Sequence, residues 1–503
     1  MFEEMDERYA GMLRDESRVE GHAEAVARPG DMAQLMQAMG QAASQGLRLT
    51  VQGAATGVAG GAAPQGGVLL STRGMGRILG LREEEGRFFL RAQAGLTLEQ
   101  VEAYLRRPLP LAGFDEQSAA AANALRAASH FFPPNPTEKS ATLGGAFACN
   151  AAGMNRTRYG RFSASVSALS WVTPAGDLWQ LRRGQAVFDA TSCPLPEGSH
   201  VPCPQGPSVI AAQFPHPGMD LIDFLAGSEG RLGLAVELEL ALLPAPKENW
   251  GVLLFFSQPQ GAKGCAQSLP TLPGAADFLT GCEYLDGAVL DLLRGSRSNR
   301  FPAPPEDAQE ALYIEFAGED ADALEECLAA LLELFLEQGG KEADAWAADS
   351  LPEMEKFRAL CHAAPELVNG EIDRARGRKR ALDLQSREIW ALLELCRREA
   401  GQAGVPVFCF GHVLEGQAHV NLVPQSSAQR AQCGPLLERW AARAVERGGL
   451  LAAENGVGKL QKTLVWQLLP PAQRAYYMEL QRIFDPLGVM QNGFDGTEEH
   501  YIL

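Results

Sequence analysis

The chain has 503 residues, 46% of them hydrophobic, enough for about two to four domains with buried cores of their own, which excludes a disordered polypeptide. A net charge of −18 opposes contact with a phosphate backbone, and the one tight basic cluster, Arg374 to Arg380, does not reverse that, so nucleic acid is not expected as a partner. The most apolar stretches, such as Leu328 to Leu336 with Glu333 inside it, fall far short of the ~20 residues that span a bilayer, so no integral membrane segment is expected.

The N-terminus, MFEEMDERYAGML, is acidic and lacks the basic-then-apolar layout of a secretory signal. Cytoplasmic residence is the default expectation, at most peripheral to the inner face of a membrane. Residues 1–28 read as a lead, polar and helical over 1–27. After the Pro29-Gly30 turn, Met32, Leu35, Met36 and Met39 recur at helical spacing. Leu47, Leu49 and Val51 then alternate with polar residues as in a half-buried strand.

That strand runs into Gly53-Ala-Ala-Thr-Gly-Val-Ala-Gly-Gly61, and a second strand, Gly67 to Thr72, follows. Glycines in such a loop let backbone NH groups approach an anion, and successive NH groups form a concave cradle for a pyrophosphate. An ordinary tight connection is the alternative. The spacing of Gly53, Gly57, Gly60 and Gly61 does not reproduce G-x-G-x-x-G, so nicotinamide binding has no support. Further on, Arg183 to His216 is rich in Pro and Gly and reads as a surface insertion loop, because Cys193, His200, Cys203 and His216 match no standard ligand spacing. Ten cysteines lie between Cys149 and Cys433 without a Cys-x-x-Cys pair, which suggests buried apolar residues and no iron-sulfur cluster or zinc ribbon. No internal repeat or low-complexity tract is present.

Val405 to Val413 and Ala418 to Val423 both read as strands, joined by Leu414-Glu-Gly-Gln417. In a simple hairpin with that loop His412 falls opposite His419, with Cβ atoms about 5 Å apart, close enough for two imidazoles to reach one divalent ion. Asn421 points to the same face, where it can hydrogen-bond a substrate or a ligand. A plain surface pair of histidines is the alternative.

At the glycine-rich loop the sequence resembles the vanillyl-alcohol oxidase type of flavoprotein, whose loop has the form R-G-x-G-T-x-x-x-G-G. Gly53, Thr56, Gly60 and Gly61 fit; Gln52 and Ala55 stand where Arg and Gly are usual. Phe132-Pro-Pro-Asn-Pro-Thr-Glu-Lys-Ser-Ala-Thr-Leu-Gly-Gly-Ala-Phe-Ala-Cys-Asn-Ala-Ala-Gly153 resembles the family's segment beside the flavin, with Ala146 for Asn and Cys149 for Thr. Leu225 to Leu234 resembles the G-S-E-G-T-L-G element, and Ile483 to Phe494 resembles the end of the C-terminal half. The resemblance implies an α+β protein: a two-subdomain FAD-binding domain of the vanillyl-alcohol oxidase (PCMH) type over 29–246, then an α+β FAD-linked oxidase C-terminal substrate domain over 247–494, and a tail over 495–503. FAD is expected without a covalent bond, since no His stands in the loop. Its expected contacts are Gly53, Ala54, Ala55, Thr56, Gly57, Gly60 and Gly61; Pro134, Thr137, Thr142, Gly144, Gly145, Asn150 and Gly153; Glu229, Gly230 and Gly233; and Asn492.

Members with D-lactate or D-2-hydroxyglutarate activity have G-H-x-x-x-x-x-x-H-x-N and a later Glu-His-Gly-x-G. Gly411-His412 through His419-Val-Asn421 fits the first, and Glu454-Asn455-Gly456-Val457-Gly458 fits the second except at Asn455. By resemblance, His412, His419 and Glu454 would hold zinc or another divalent ion, and Asn421 would contact the substrate. Asn455 stands where the family has the His that takes the hydroxyl proton, a task for which a neutral amide has no usable basicity. Phe357-Arg358 through Asn369 and Lys379 to Asp383 resemble the family's anion-binding elements, so Arg358 and Lys379 are expected on the substrate carboxylate; a solvent-facing helical Arg and a solvated basic face from Arg374 are the alternatives. The implied activity is oxidation of a D-2-hydroxy acid of the D-lactate, glycolate or D-2-hydroxyglutarate class, with electrons passed to a separate acceptor: a carrier flavoprotein, an iron-sulfur subunit or a quinone. The alternative is a flavin-binding homologue that has lost or changed catalysis and acts as a subunit or electron-transfer component.

Overall fold

The computed structural model describes residues 2–375, 377 and 379–491. The chain divides into two compact units, each built from separated stretches of sequence: residues 1–152, 161–245 and 454–503 form the first, and residues 153–160 and 246–453 the second. Both mix helices with sheets, in agreement with the expected α+β class.

The first unit opens differently from the helical lead expected. Residues 1–27 contribute strands β1 (Glu3–Glu4) and β2 (Ala25–Ala27) around a 3-10 turn, Glu7–Met12. Polar, exposed β1 forms the edge: β2 pairs on one side with β1 and on the other with β4 (Val68–Ser71), and β3 (Leu49–Gln52) closes the order β1-β2-β4-β3. Helix α1 (Met32–Ser44) forms where the apolar spacing places it. Asp31 caps it by accepting from the Gln34 amide at 2.9 Å, and Leu35, Ala38, Met39 and Ala42 bury one stripe.

The C-terminal segment returns to this sheet. Leu49 NH donates to the Val489 carbonyl at 2.7 Å and Gln491 NH to the Leu49 carbonyl at 2.9 Å, while Val489 and Met490 join the core around α1. The Gln491 side chain accepts from Thr50 and from the Gln65 amide and donates to the Gly66 carbonyl.

A second sheet of this unit is built from β5 (Ile78–Glu84), β6 (Arg87–Gln93), β7 (His130–Phe131), β8 (Val166–Val172), β9 (Leu178–Arg182) and β12 (Leu234–Pro244), in the order β5-β6-β12-β8-β9 with β7 on β12. In β12 the even-numbered residues Leu234 to Leu242 are all buried, the period of two that a strand demands. The insertion between β9 and β12 carries a small hairpin, β10 (Ser192–Pro194) with β11 (His200–Pro202), in which Cys193 and Cys203 are buried and His200 and His216 are exposed.

The second unit is one antiparallel sheet of eight strands: β13 (Glu248–Phe256), β14 (Leu279–Asp286), β15 (Glu310–Gly318), β16 (Ala345–Ala348), β17 (Ala381–Gln385), β18 (Val407–Gly411), β19 (Gln417–Leu422) and β20 (Leu450–Leu451), ordered β16-β13-β15-β14-β18-β19-β17-β20. Helices Gly287–Gly295 and Leu351–Arg374 share its main apolar core. The short stretch 153–160 belongs here: Met154 enters that core, and the side chain of buried Arg156 donates to Gln417 of β19.

Candidate active site

In the first unit the glycine-rich loop leaves β3 as expected, and its conformation explains the residue types. Ala55 and Gly60 have positive φ, 60° and 80°. A Cβ on Gly53 would stand 2.2 Å from Thr142 Oγ1, so only glycine lets the loop pass the segment 132–153. Thr142 caps helix Leu143–Ala148 through the Gly145 amide at 3.2 Å, and a Cβ on Gly144 would meet that of Ala94 at 2.8 Å. Among the described residues, the amides of Ala54, Ala55, Thr56, Gly57 and Val58 donate to no acceptor. A run of half-exposed amides with nothing to bond is a cradle for an anion, which is the fit an FAD pyrophosphate requires.

The other expected flavin contacts are distributed unevenly. Pro134 is buried and Thr137 exposed. Asn150, at φ 44°, accepts from the Ser163 amide at 3.0 Å, so its side chain fastens the turn after the helix. Gly153, at φ 142°, begins the stretch that belongs to the second unit. Glu229, at φ 53°, accepts from the Val457 and Gly458 amides at 2.8 and 2.7 Å. Gly230 also has a positive φ, and a Cβ on Gly233 would stand 2.5 Å from the Val172 carbonyl. Asn492 lies outside the described residues. Burial pushes the Cys149 thiol up to about 12, so it remains a neutral thiol.

In the second unit the hairpin differs from the simple one expected. β18 stops at Gly411, where a Cβ would crowd Ala418 Cα at 2.8 Å, and a 3-10 turn, Val413–Glu415, with left-handed Gly416 makes the connection. The ladder is shifted by two residues: Phe410, not His412, faces His419, and Phe408 faces Asn421. His412 is buried, and its carbonyl accepts from the Gln417 amide at 3.1 Å. On its other side His419 faces Asp383 of β17, with Nδ1 3.5 Å from the carboxylate, and Asp383 accepts from Gln417 Nε2 at 3.1 Å.

Asn421 is 1% exposed; its Nδ2 donates to the Phe408 carbonyl at 3.4 Å, and its Oδ1 has no partner among the described residues. Lys379 donates to Asn369 Oδ1 at 3.4 Å, which brings together the two segments read as anion-binding. Arg358 is committed elsewhere. Its Nε and Nη2 donate to buried Glu315 at 2.6 and 2.8 Å, and Nη1 donates to Glu355 at 2.7 Å. Burial opposes that charge, yet the Glu315 hydrogen bonds raise its pKa above the usual arginine value.

Glu454 and Asn455 lie in the first unit and His412 and His419 in the second. Among the described residues no three His, Cys, Asp or Glu side chains group so as to hold a metal ion. Within the second unit, the two imidazoles alone would bind an ion weakly. Asp15, Asp383, Gln417 and Lys459 escaped the sequence reading, although Asp383 ends the quoted Lys379 element and Lys459 follows Gly458 directly.

Residues 23–122 and 116–182 match the family model "FAD binding domain", and residues 252–493 match "FAD linked oxidases, C-terminal domain". The chain belongs to the FAD-linked oxidases. This FAD-linked oxidase is 25% identical over 459 residues to a D-lactate dehydrogenase of Anaerostipes hadrus, covering 89% of this chain and 84% of that one. It is 23% identical to a mitochondrial D-2-hydroxyglutarate dehydrogenase of Rattus norvegicus, covering 94% and 78%. A solved alkyldihydroxyacetonephosphate synthase shares the fold at a TM-score of 0.62 and 14% identity, over 94% of this chain and 76% of the other. Among the described residues of the oxidase no helix is long and apolar enough to cross a membrane.

Proposed function

We propose that this FAD-linked oxidase removes hydride from C2 and a proton from the 2-hydroxyl of a D-2-hydroxy acid of the D-lactate, glycolate or D-2-hydroxyglutarate class, giving the 2-oxo acid, with the proton released to water. Bound FAD supplies the hydride acceptor, and a separate carrier flavoprotein, iron-sulfur subunit or quinone takes the electrons onward. The observation that carries the reading is the buried, unpartnered Oδ1 of Asn421, two residues from His419 on the same strand. An orphaned buried acceptor costs about 1–3 kcal/mol, and a substrate hydroxyl donating to it offsets that cost. Lys379 offers the carboxylate a cation beside Asn369, and His412 and His419 orient the acid through their ring nitrogens. The carboxylate falls to Lys379, since Arg358 pairs with Glu315.

A second reading, a flavin-binding homologue with lost or altered turnover, is favoured by Asn455, whose amide cannot take the hydroxyl proton. The deciding experiment is the visible spectrum of the purified protein, recorded without oxygen before and after D-lactate, glycolate and D-2-hydroxyglutarate. Bleaching of the flavin band by one acid names the substrate class. A band unmoved by all three sinks the dehydrogenase reading in favour of the second. Asn455→His is the companion test, with raised turnover expected if the missing base limits the rate.

A further inference from the structure

In the glycine-rich loop the carbonyls of residues 55 and 59–62 are occupied and the amides of residues 54–58 are open, and most of the groups that occupy the carbonyls come from remote parts of the sequence. Glu16 NH donates to the Ala55 carbonyl at 3.3 Å, and Lys459 and Leu460 NH donate to that of Ala59 at 2.9 and 3.1 Å. Lys459 Nζ reaches the Gly60 and Gly61 carbonyls at 3.3 and 3.1 Å. Gln52 Nε2 bridges the Met12 and Ala62 carbonyls at 2.8 and 3.0 Å, and Asp15 accepts from the Ala62 amide at 3.2 Å.

The segment carrying Lys459 is itself pinned. Gly458 stands so close that a Cβ would lie 2.1 Å from the Ala59 carbonyl, and Glu229 holds the Val457 and Gly458 amides. The result is one-sided polarity: with the carbonyls of 55 and 59–62 engaged by donors, the donor side of residues 54–58 is left for a ligand.

We propose that Lys459 is a cofactor-positioning residue. Its ammonium ties down the closing end of the loop and places a half-buried positive charge beside the cradle for the FAD pyrophosphate. The charged groups facing it are Asp15 from the lead, Glu229 after β9 and Lys462 on its own segment, with Arg231 paired to Glu229 at 3.4 Å. Burial lowers the Lys459 ammonium to about 8, with Asp15 and Glu229 opposing the shift. A bound pyrophosphate favours the charged form. FAD affinity is therefore expected to hold steady up to about pH 8 and to fall above it, as the free protein loses the proton that the complex keeps.

The inference rests on reading the loop as the FAD cradle. The test uses flavin-stripped full-length protein and FAD alone, with affinity read from the quenching of flavin fluorescence between pH 7 and 9.5. Wild type should bind FAD with the break near pH 8. Lys459→Met should bind about tenfold or more weakly at pH 7 and show no break; Asp15→Asn, which keeps the acceptor for the Ala62 amide, should keep the break. Circular dichroism and melting separate a folded variant from a collapsed one. If Lys459→Met does not fold, the wild-type profile decides: an affinity flat across pH 8 overturns the proposal. A folded Lys459→Met that binds like wild type overturns it equally. Failure of the wild type to bind FAD at any pH would instead overturn the cradle reading on which it rests.

Discussion

Arg358 and Glu315 show why a residue's type does not settle its task. The guanidinium that sequence resemblance aims at a substrate carboxylate meets an internal carboxylate, with Tyr313 OH as a third member at 2.6 Å from Glu315. Breaking a buried pair on one side leaves an uncompensated charge, at a cost of about 3–5 kcal/mol. Arg358→Leu should lower stability by that order in urea unfolding, whereas a primary substrate role would appear as a raised KM in a protein of unchanged stability. The double variant Arg358→Leu/Glu315→Leu should recover much of the loss, since replacing both partners removes the stranded charge. Gly458 gives a backbone case. With φ at 50° and the Ala59 carbonyl where a Cβ would go, Gly458→Ala should displace the Lys459 segment and weaken FAD retention, measured as flavin per protein after gel filtration.

At the level of elements, one turn decides how the histidine hairpin is wired. The 3-10 turn over Val413–Glu415 takes up residues that a simple hairpin would leave in the ladder, and the two-residue shift sets His419 against Phe410 and Asp383. A neighbouring element supplies a pH test. Asp286 ends β14, caps helix Gly287–Gly295 through the Val289 amide at 3.0 Å and accepts from the Cys409 amide at 2.8 Å. Burial outweighs these bonds and raises its pKa to about 6. Raised above its unfolded value of 3.8, the group penalises the folded state in its charged form. That penalty is present in full above about pH 6 and is relieved as pH falls from about 6 towards 4. Asp286→Asn should flatten this component of the pH dependence of unfolding, followed by denaturant midpoint.

For the whole molecule, the FAD-binding unit is assembled from three stretches of chain, so its stability depends on the return of residues 454–491. Gln491 joins Thr50, Gln65 and Gly66, and Gln491→Leu should destabilise the unit by about 2–3 kcal/mol, because several buried polar groups lose partners at once. Adding FAD at about a hundred times its Kd should stabilise by about 2.7 kcal/mol through mass action. Calorimetry should show that shift in the transition of the first unit, and an FAD-insensitive melt would refute the placement of the cradle there.

Local signals carried much of this by themselves. The spacing of Leu35 and Met39 foretold α1, alternation foretold β3, and the glycines after it foretold a loop of special backbone, because each reports a constraint acting within a few residues. The resemblance of the segment 132–153 and of Gly411 to Asn421 to a flavoprotein family likewise needed no coordinates. What the sequence could not give were pairings between distant residues: Lys459 with Gly60 and Gly61, Asp15 with Ala62, Arg358 with Glu315, Asp383 with His419. Side chains of opposite charge are interchangeable on paper, and only burial selects which carboxylate an arginine meets and which carbonyls a lysine must satisfy. The ladder of the histidine hairpin belongs to the same class, since a connection two residues longer is nearly neutral locally and the sheet into which both strands are packed decides it.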